Sequence, residues 1–208
     1  MLDTVNLPVI LLAALMATGS PGPATLTIAG TSMHSGRQYG LALASGVTTG
    51  SLIWSVAAAA GLGALMLAHG WALEIIRYAG AGYLLWLAFK SARSALTRGD
   101  LKTADAAATS LSQAYMKGLA LHLTNPKAIL FFGSLYAIGI PHDASLAAVL
   151  MVIGAVGLQS FLIFHGYALL FSNSVITRVY MRLRRGFEAV FAIAFGAASI
   201  KVLTARLT

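Results

Sequence analysis

Six apolar runs of helix length, at about residues 7–33, 41–68, 71–89, 113–140, 144–171 and 187–203, alternate along this chain with short polar turns. Each is close to the roughly 20 residues that carry an α-helix across a bilayer, and none shows the short apolar–polar alternation of a membrane β-strand. The pattern predicts an all-α, polytopic membrane protein, a single membrane domain over residues 1–208 with six transmembrane helices. The longest polar stretch, where Lys90, Arg93, Arg98 and Lys102 stand against Asp100 and Asp105, divides the spans three and three. Residues 1–96 are then a first three-helix repeat, 97–112 a cytoplasmic linker and 113–208 a second repeat. Three is an odd number, so the two repeats are expected to enter the bilayer from opposite sides, as inverted repeats do.

Two of the runs, the first and the fourth, are broken near mid-membrane. The first carries Gly19-Ser20-Pro21-Gly22-Pro23, and the fourth carries Asn125-Pro126-Lys127. Proline has no backbone N–H and its ring clashes with the carbonyl four residues earlier. The carbonyls of Ala17, Gly19 and His122 are therefore expected to be freed. Unsatisfied backbone in hydrocarbon costs several kcal/mol and is tolerated only where protein or a polar cavity receives it. Paired breaks in corresponding positions of two halves point to a transporter's substrate site. Each break also starts a new half-helix, whose first amides and dipole favour an anion. Amide donors beside bare carbonyls suit a zwitterion such as an amino acid. The residues expected to bind it are Gly19, Pro21, Gly22, Pro23, Asn125, Pro126 and Lys127.

Lys127 carries the sharpest expectation. A lysine at the centre of a membrane helix costs roughly 2.5–3.5 kcal/mol on the insertion scale, and such residues face a cavity or a partner. Its expected role is to hold a substrate carboxylate, the alternative being a purely structural pairing with backbone carbonyls. Asn125 is expected to line the site or cap the half-helix. His122 and His165 lie inside spans and are the candidates for carrying protons, because histidine titrates nearest physiological pH. Along the second span Gly36, Gly40, Gly46, Gly50 and Gly61 recur at helical spacing and predict close helix packing.

Composition sharpens this picture. The chain is 58% hydrophobic and 10% charged, with a mean hydropathy of +0.81. It has no cysteine, which excludes disulfides, thiol chemistry and cysteine-ligated metal. The net charge of +8 would suggest nucleic acid in a soluble protein; here the basic residues sit in turns and report topology instead. Arg37, the group from Lys90 to Lys117, and Arg178, Arg182, Arg184 and Arg185 follow the odd-numbered spans, whereas the turns at His69 and His142 have neither lysine nor arginine. The positive-inside rule places both termini outside the cytoplasm.

At these residues the chain resembles the lysine exporter family, whose homoserine, threonine and leucine efflux members are small six-helix proteins of the bacterial inner membrane. The matching marks are Pro21-Gly22-Pro23, Gly36-Arg37-Gln38-Tyr39-Gly40-Leu41, Gly46 with Gly50, Gly80-Ala81-Gly82-Tyr83-Leu84 and Asn125-Pro126-Lys127-Ala128, which span most of the chain. The resemblance implies a secondary exporter of amino acids from cytoplasm to periplasm, working by proton antiport and alternating access. The partners it implies are a small amino acid, a proton and the lipid bilayer, with homo-oligomerisation left open and no cofactor. Two positions depart from the family pattern: Ala24 and Ser51 stand where a polar Asn and an Asp or Asn are common. No carboxylate is then expected in the core, which favours a neutral amino acid over lysine or arginine. The competing classes are a small membrane subunit and an intramembrane enzyme. The second lacks a nucleophile–base pair or a His-Glu-x-x-His motif.

Overall fold

In a computed structural model the described residues are 5–20, 22–68, 70–96, 110–141 and 144–204, and among them the chain forms eight α-helices and no strand. The first apolar run becomes α1 (Leu7–Gly19) and α2 (Pro23–His34), bent by 53° at the break. Two long helices follow, α3 (Arg37–Ala68) and α4 (Gly70–Leu96). The fourth run becomes α5 (Leu111–Leu123) and α6 (Pro126–Gly139), followed by α7 (Leu146–Phe171) and α8 (Ser174–Thr204). By length and composition Arg37–Gly61 and Leu146–Phe171 are each able to cross a bilayer, and the bent α1–α2 pair is a third candidate if taken as one span. The expected turns at His69 and at His142-Asp143 lie outside the described residues, as do positions 97–109 of the linker.

Local chemistry accounts for the helix ends. Asn6 and Ser145 accept from Val9 N and Ala148 N at 3.3 Å, and Ser110 accepts from Gln113 N at 3.1 Å, so each caps the helix that follows. Pro23 and Pro126 occupy the first turns of α2 and α6, where the missing N–H has no intrahelical partner to lose. Gly36, with φ of +93°, makes the turn from α2 to α3.

Helices approach most closely around α3. A Cβ on Gly46 would stand 2.0 Å from the Tyr115 carbonyl oxygen, and one on Gly118 2.1 Å from that of Leu43, so α3 and α5 cross backbone to backbone. Gly40 makes similar room for Ser32 of α2 and Gly50 for His122 of α5. The packing expectation holds at Gly40, Gly46 and Gly50. It fails at Gly61, which has nothing within 4 Å, and Gly36 serves the turn instead. Apolar side chains gather in three clusters, one joining α1, α6 and α7, one joining α2, α3, α5 and α7, and one between α4 and α8.

One connection differs from its expected form. The basic stretch from Arg178 to Arg185, read as a loop before a span starting at Phe187, is part of α8. Arginine and leucine are good helix formers, and nothing stronger than Gly186 interrupts them. Arg185 Nε also donates to the Ala95 carbonyl at 2.8 Å, serving the C-terminal end of α4.

Candidate functional site

The two breaks meet. Lys127, in the first turn of α6, donates from Nζ to the Ser20 carbonyl at 3.1 Å and also to Ser20 Oγ. The chain makes room for this reach at Gly22, where a Cβ would lie 3.4 Å from both Cδ and Nζ of Lys127. Gly22 itself is extended, with φ of −157° and ψ of 179°, a conformation open to any residue, so the glycine serves space rather than backbone freedom. Gly19 is the last residue of α1, while Pro23 and Pro126 open α2 and α6. Pro21 lies outside the described residues. Asn125 is the cap: its side chain accepts from Lys127 N at 3.0 Å, and its carbonyl accepts from Ala128 N and Ile129 N.

The carbonyls expected to be bare all have partners, which corrects the idea of an open cage for an ammonium group. Ser20 Oγ donates to the Ala17 oxygen at 3.2 Å, Tyr167 OH to that of Gly19 at 2.7 Å, and Asn125 N to that of His122 at 3.2 Å. The reason is the cost of unpaired backbone in an apolar setting, which the fold meets from inside. The two half-helix starts differ as well. At α6 the Lys127 amide is taken by Asn125, whereas at α2 the N-cap is Gly22, which has no side chain to cap the amides after it, and its own amide is accepted by Thr25 Oγ1 at 2.8 Å.

A cavity of about 40 Å³ lies between the breaks. Its polar wall is Ser20, Thr25, Ser51, His122, Asn125 and Lys127, and Phe131, Phe132 and Phe164 close the apolar side. That volume holds a few waters and falls well short of the roughly 300 Å³ at which ligand pockets begin. A molecule the size of an amino acid does not fit in this cavity as it stands. His122 is 5% exposed and lines the cavity, with Nε2 3.0 Å from Ser51 Oγ and Phe164 edge-on at 5.9 Å between centroids. Its Nδ1 is buried without a partner among the described residues. His165 is not brought to this wall. It sits on α7 with Nε2 3.0 Å from Ser45 Oγ and Nδ1 2.9 Å from the Phe161 carbonyl. Among the described residues no three His, Cys, Asp or Glu side chains converge as metal ligands would.

Three features escaped sequence reasoning. Glu188, the only acidic residue whose side chain is among those described, is 4% exposed on α8 and accepts from Ser94 Oγ at 2.8 Å. A core without a carboxylate was expected; this one is hidden in sequence by the arginines preceding it. The second feature is a ladder of hydroxyls on α3, where Ser45, Thr49, Ser51 and Ser55 bond His165, Tyr115, His122 and Tyr136 respectively, on three different helices. Ser45, Thr48 and Thr49 also bond back to carbonyls four residues earlier, as hydroxyls in apolar helices do. The third is Tyr167, whose ring stacks on Phe171 while its hydroxyl holds the first break.

Residues 15–206 match the LysE type translocator family. The chain is 29% identical over 199 residues to the threonine efflux protein of Salmonella typhi, covering 92% of this chain and 94% of that one. It is 34% identical over 165 residues to the leucine efflux protein of Klebsiella pneumoniae, covering 79% and 77%. It is 32% identical over 161 residues to the homoserine/homoserine lactone efflux protein of Salmonella typhimurium, covering 77% of each. No solved structure matches. With its family marks spread over most of the chain and both breaks gathered at one cavity, the protein belongs to the LysE type translocator family.

Proposed function

We propose that this chain exports neutral amino acids, with threonine, homoserine or leucine as the type, from cytoplasm to periplasm in exchange for protons. The observation that carries the reading is the Lys127 ammonium bonded across both breaks to Ser20, at a cavity bordered by two half-helix starts. A substrate carboxylate is a stronger partner than a neutral carbonyl or hydroxyl, because charge-assisted hydrogen bonds are roughly twice as strong. Carboxylate binding thus takes Lys127 from Ser20 and unlatches the first break. The α1–α2 hinge is then free to change its angle, and access alternates from one side of the cavity to the other. Among the described residues no carboxylate lines the cavity beside Lys127, which favours a zwitterion over a cationic substrate.

The architecture proposed for this cycle is six spans in two inverted repeats, α1 to α4 and α5 to α8. The support is the order of elements, since each half runs as a broken helix followed by two long ones. The positive-inside rule, applied to the basic ends of α4 and α8, supports a cytoplasmic side for the turns there and a periplasmic side for both termini, in a bacterial inner membrane. Efflux of labelled threonine, homoserine and leucine from proteoliposomes holding the purified chain, driven by an imposed pH gradient, tests the activity. Transport of none of them ends it. For topology, single cysteines at Leu2, Gly70, Gly99 and Asp143 are expected to react with an impermeant reagent in intact cells at every site but Gly99. The reverse pattern inverts the orientation.

A further inference from the structure

We infer that His122 Nδ1 is the acceptor for the substrate's ammonium group, opposite the Lys127 ammonium that takes its carboxylate. The inference rests on the export reading above and assigns the second pole of the same site. Several buried side-chain polar atoms lack a partner among the described residues, and of these only His122 Nδ1 belongs to a residue of the cavity wall. The ring's seat is built: a Cβ on Gly50 would stand 2.9 Å from His122 Cβ, Phe164 meets the ring edge-on, and Ser51 fixes Nε2 at 3.0 Å. A buried nitrogen left unpaired by so specific a seat is a position kept for a ligand. The other acceptors an ammonium group would seek, the carbonyls of Ala17, Gly19 and His122, are already taken.

The charges facing His122 are few. Lys127 of α6 is the charged residue of the wall, while α2, α3 and α7 bring Thr25, Ser51 and Phe164, which carry none. With Nε2–H donating to Ser51 Oγ, the neutral imidazole keeps a lone pair at Nδ1. That lone pair takes one hydrogen at a time, either an N–H of the substrate ammonium or a proton. Substrate and proton therefore alternate at a single atom, which is the logic an exchanger needs. His165 is not so placed, since both of its ring nitrogens are already engaged, by Ser45 and Phe161.

Binding of threonine, homoserine and leucine to the purified full-length protein tests this, with 3-hydroxybutyrate, threonine without its ammonium group, as the contrasting probe. His122→Phe keeps a ring against Gly50 and Phe164. It is expected to weaken amino-acid binding about 10- to 100-fold, the range for a hydrogen bond to a charged group, and to leave 3-hydroxybutyrate unchanged. His122→Asn restores a neutral acceptor that takes no proton, so affinity is expected to return, and the weakening of amino-acid binding expected of the unmodified protein at acid pH is expected to disappear. His165→Asn keeps that pH dependence. Equal losses for both probes in His122→Phe, or a His122→Asn variant with undiminished pH dependence, overturn the assignment. An unmodified protein that binds none of the three amino acids refutes the export reading itself. Full export with unimpaired binding in His122→Phe refutes only the role of His122.

Discussion

At the second break the chain caps itself, because Asn125 supplies side-chain and backbone acceptors to the three residues after Pro126 and its own amide satisfies His122. At the first break part of the need is met nearby, by Ser20 on Ala17 and by Thr25, whose hydroxyl accepts from the Gly22 amide. The rest comes from Lys127 and Tyr167, on α6 and α7, bonded to Ser20 and Gly19. A self-capped break keeps its shape whatever its neighbours do. One held by other helices changes when they move, so the first break is the expected moving part of the proposed cycle and the second the expected platform that carries Lys127 to it.

The largest effect is expected from Lys127→Met, which removes the link between the breaks. Efflux should be lost, while unfolding stability changes by less than about 1 kcal/mol, because the relieved insertion penalty of roughly 2.5–3.5 kcal/mol offsets the charged hydrogen bonds given up. Undiminished efflux by the well-folded variant would leave Lys127 a structural strut. Lys127→Arg keeps the charge with a different reach and fork, so partial efflux is expected on the same assay. Next comes Tyr167→Phe, which keeps the stack on Phe171 and strands the Gly19 carbonyl at a cost of about 1–3 kcal/mol. Denaturation together with efflux should show both stability and transport rate altered, as expected where the moving break is loosened. Asn125→Ala should cost about 1 kcal/mol of stability through the lost cap and leave efflux nearly intact. A transport defect larger than that of Tyr167→Phe would reverse the assignment of moving and fixed breaks. The smallest effect belongs to Gly22→Ala, whose Cβ meets the tip of Lys127 at 3.4 Å, an ordinary contact on a flexible chain end. Efflux should fall only a few-fold, with the melting temperature unchanged.

How much of this was legible in the sequence follows from the range of each interaction. Pro23 and Pro126 act on their own turn of chain, so the breaks could be placed within a residue or two. Lys127 stood out because a cation in an apolar run is costly wherever its partner is. The partner itself, Ser20, is 107 residues away and carries no mark that separates it from other small polar residues. Tyr167 and Glu188 were missed for the same reason, one reading as an aromatic in an apolar helix and the other as a charge in a basic run. The hydroxyls of α3 were hidden by their habit of bonding back within the helix, which makes a cross-helix ladder resemble a packing face. Free carbonyls were wrongly expected because local reasoning can show which groups a proline releases, but not which side chain from another helix arrives to take them.

The separation of Lys127 from Ser20 also bears on biogenesis. Ribosomal synthesis delivers α1 and α2 to the membrane first, with acceptors at Ser20 and Gly19 still waiting for donors from chain not yet made. Lys127 follows 107 residues after Ser20, and Tyr167 comes 148 residues after Gly19. The costly cation thus meets a bilayer in which its acceptors are already present, and the last donor to arrive closes the first gap that was opened. Expressed as two separate halves, the chain would have to find these contacts by lateral encounter, with the amino-terminal half lacking both donors until the other arrives.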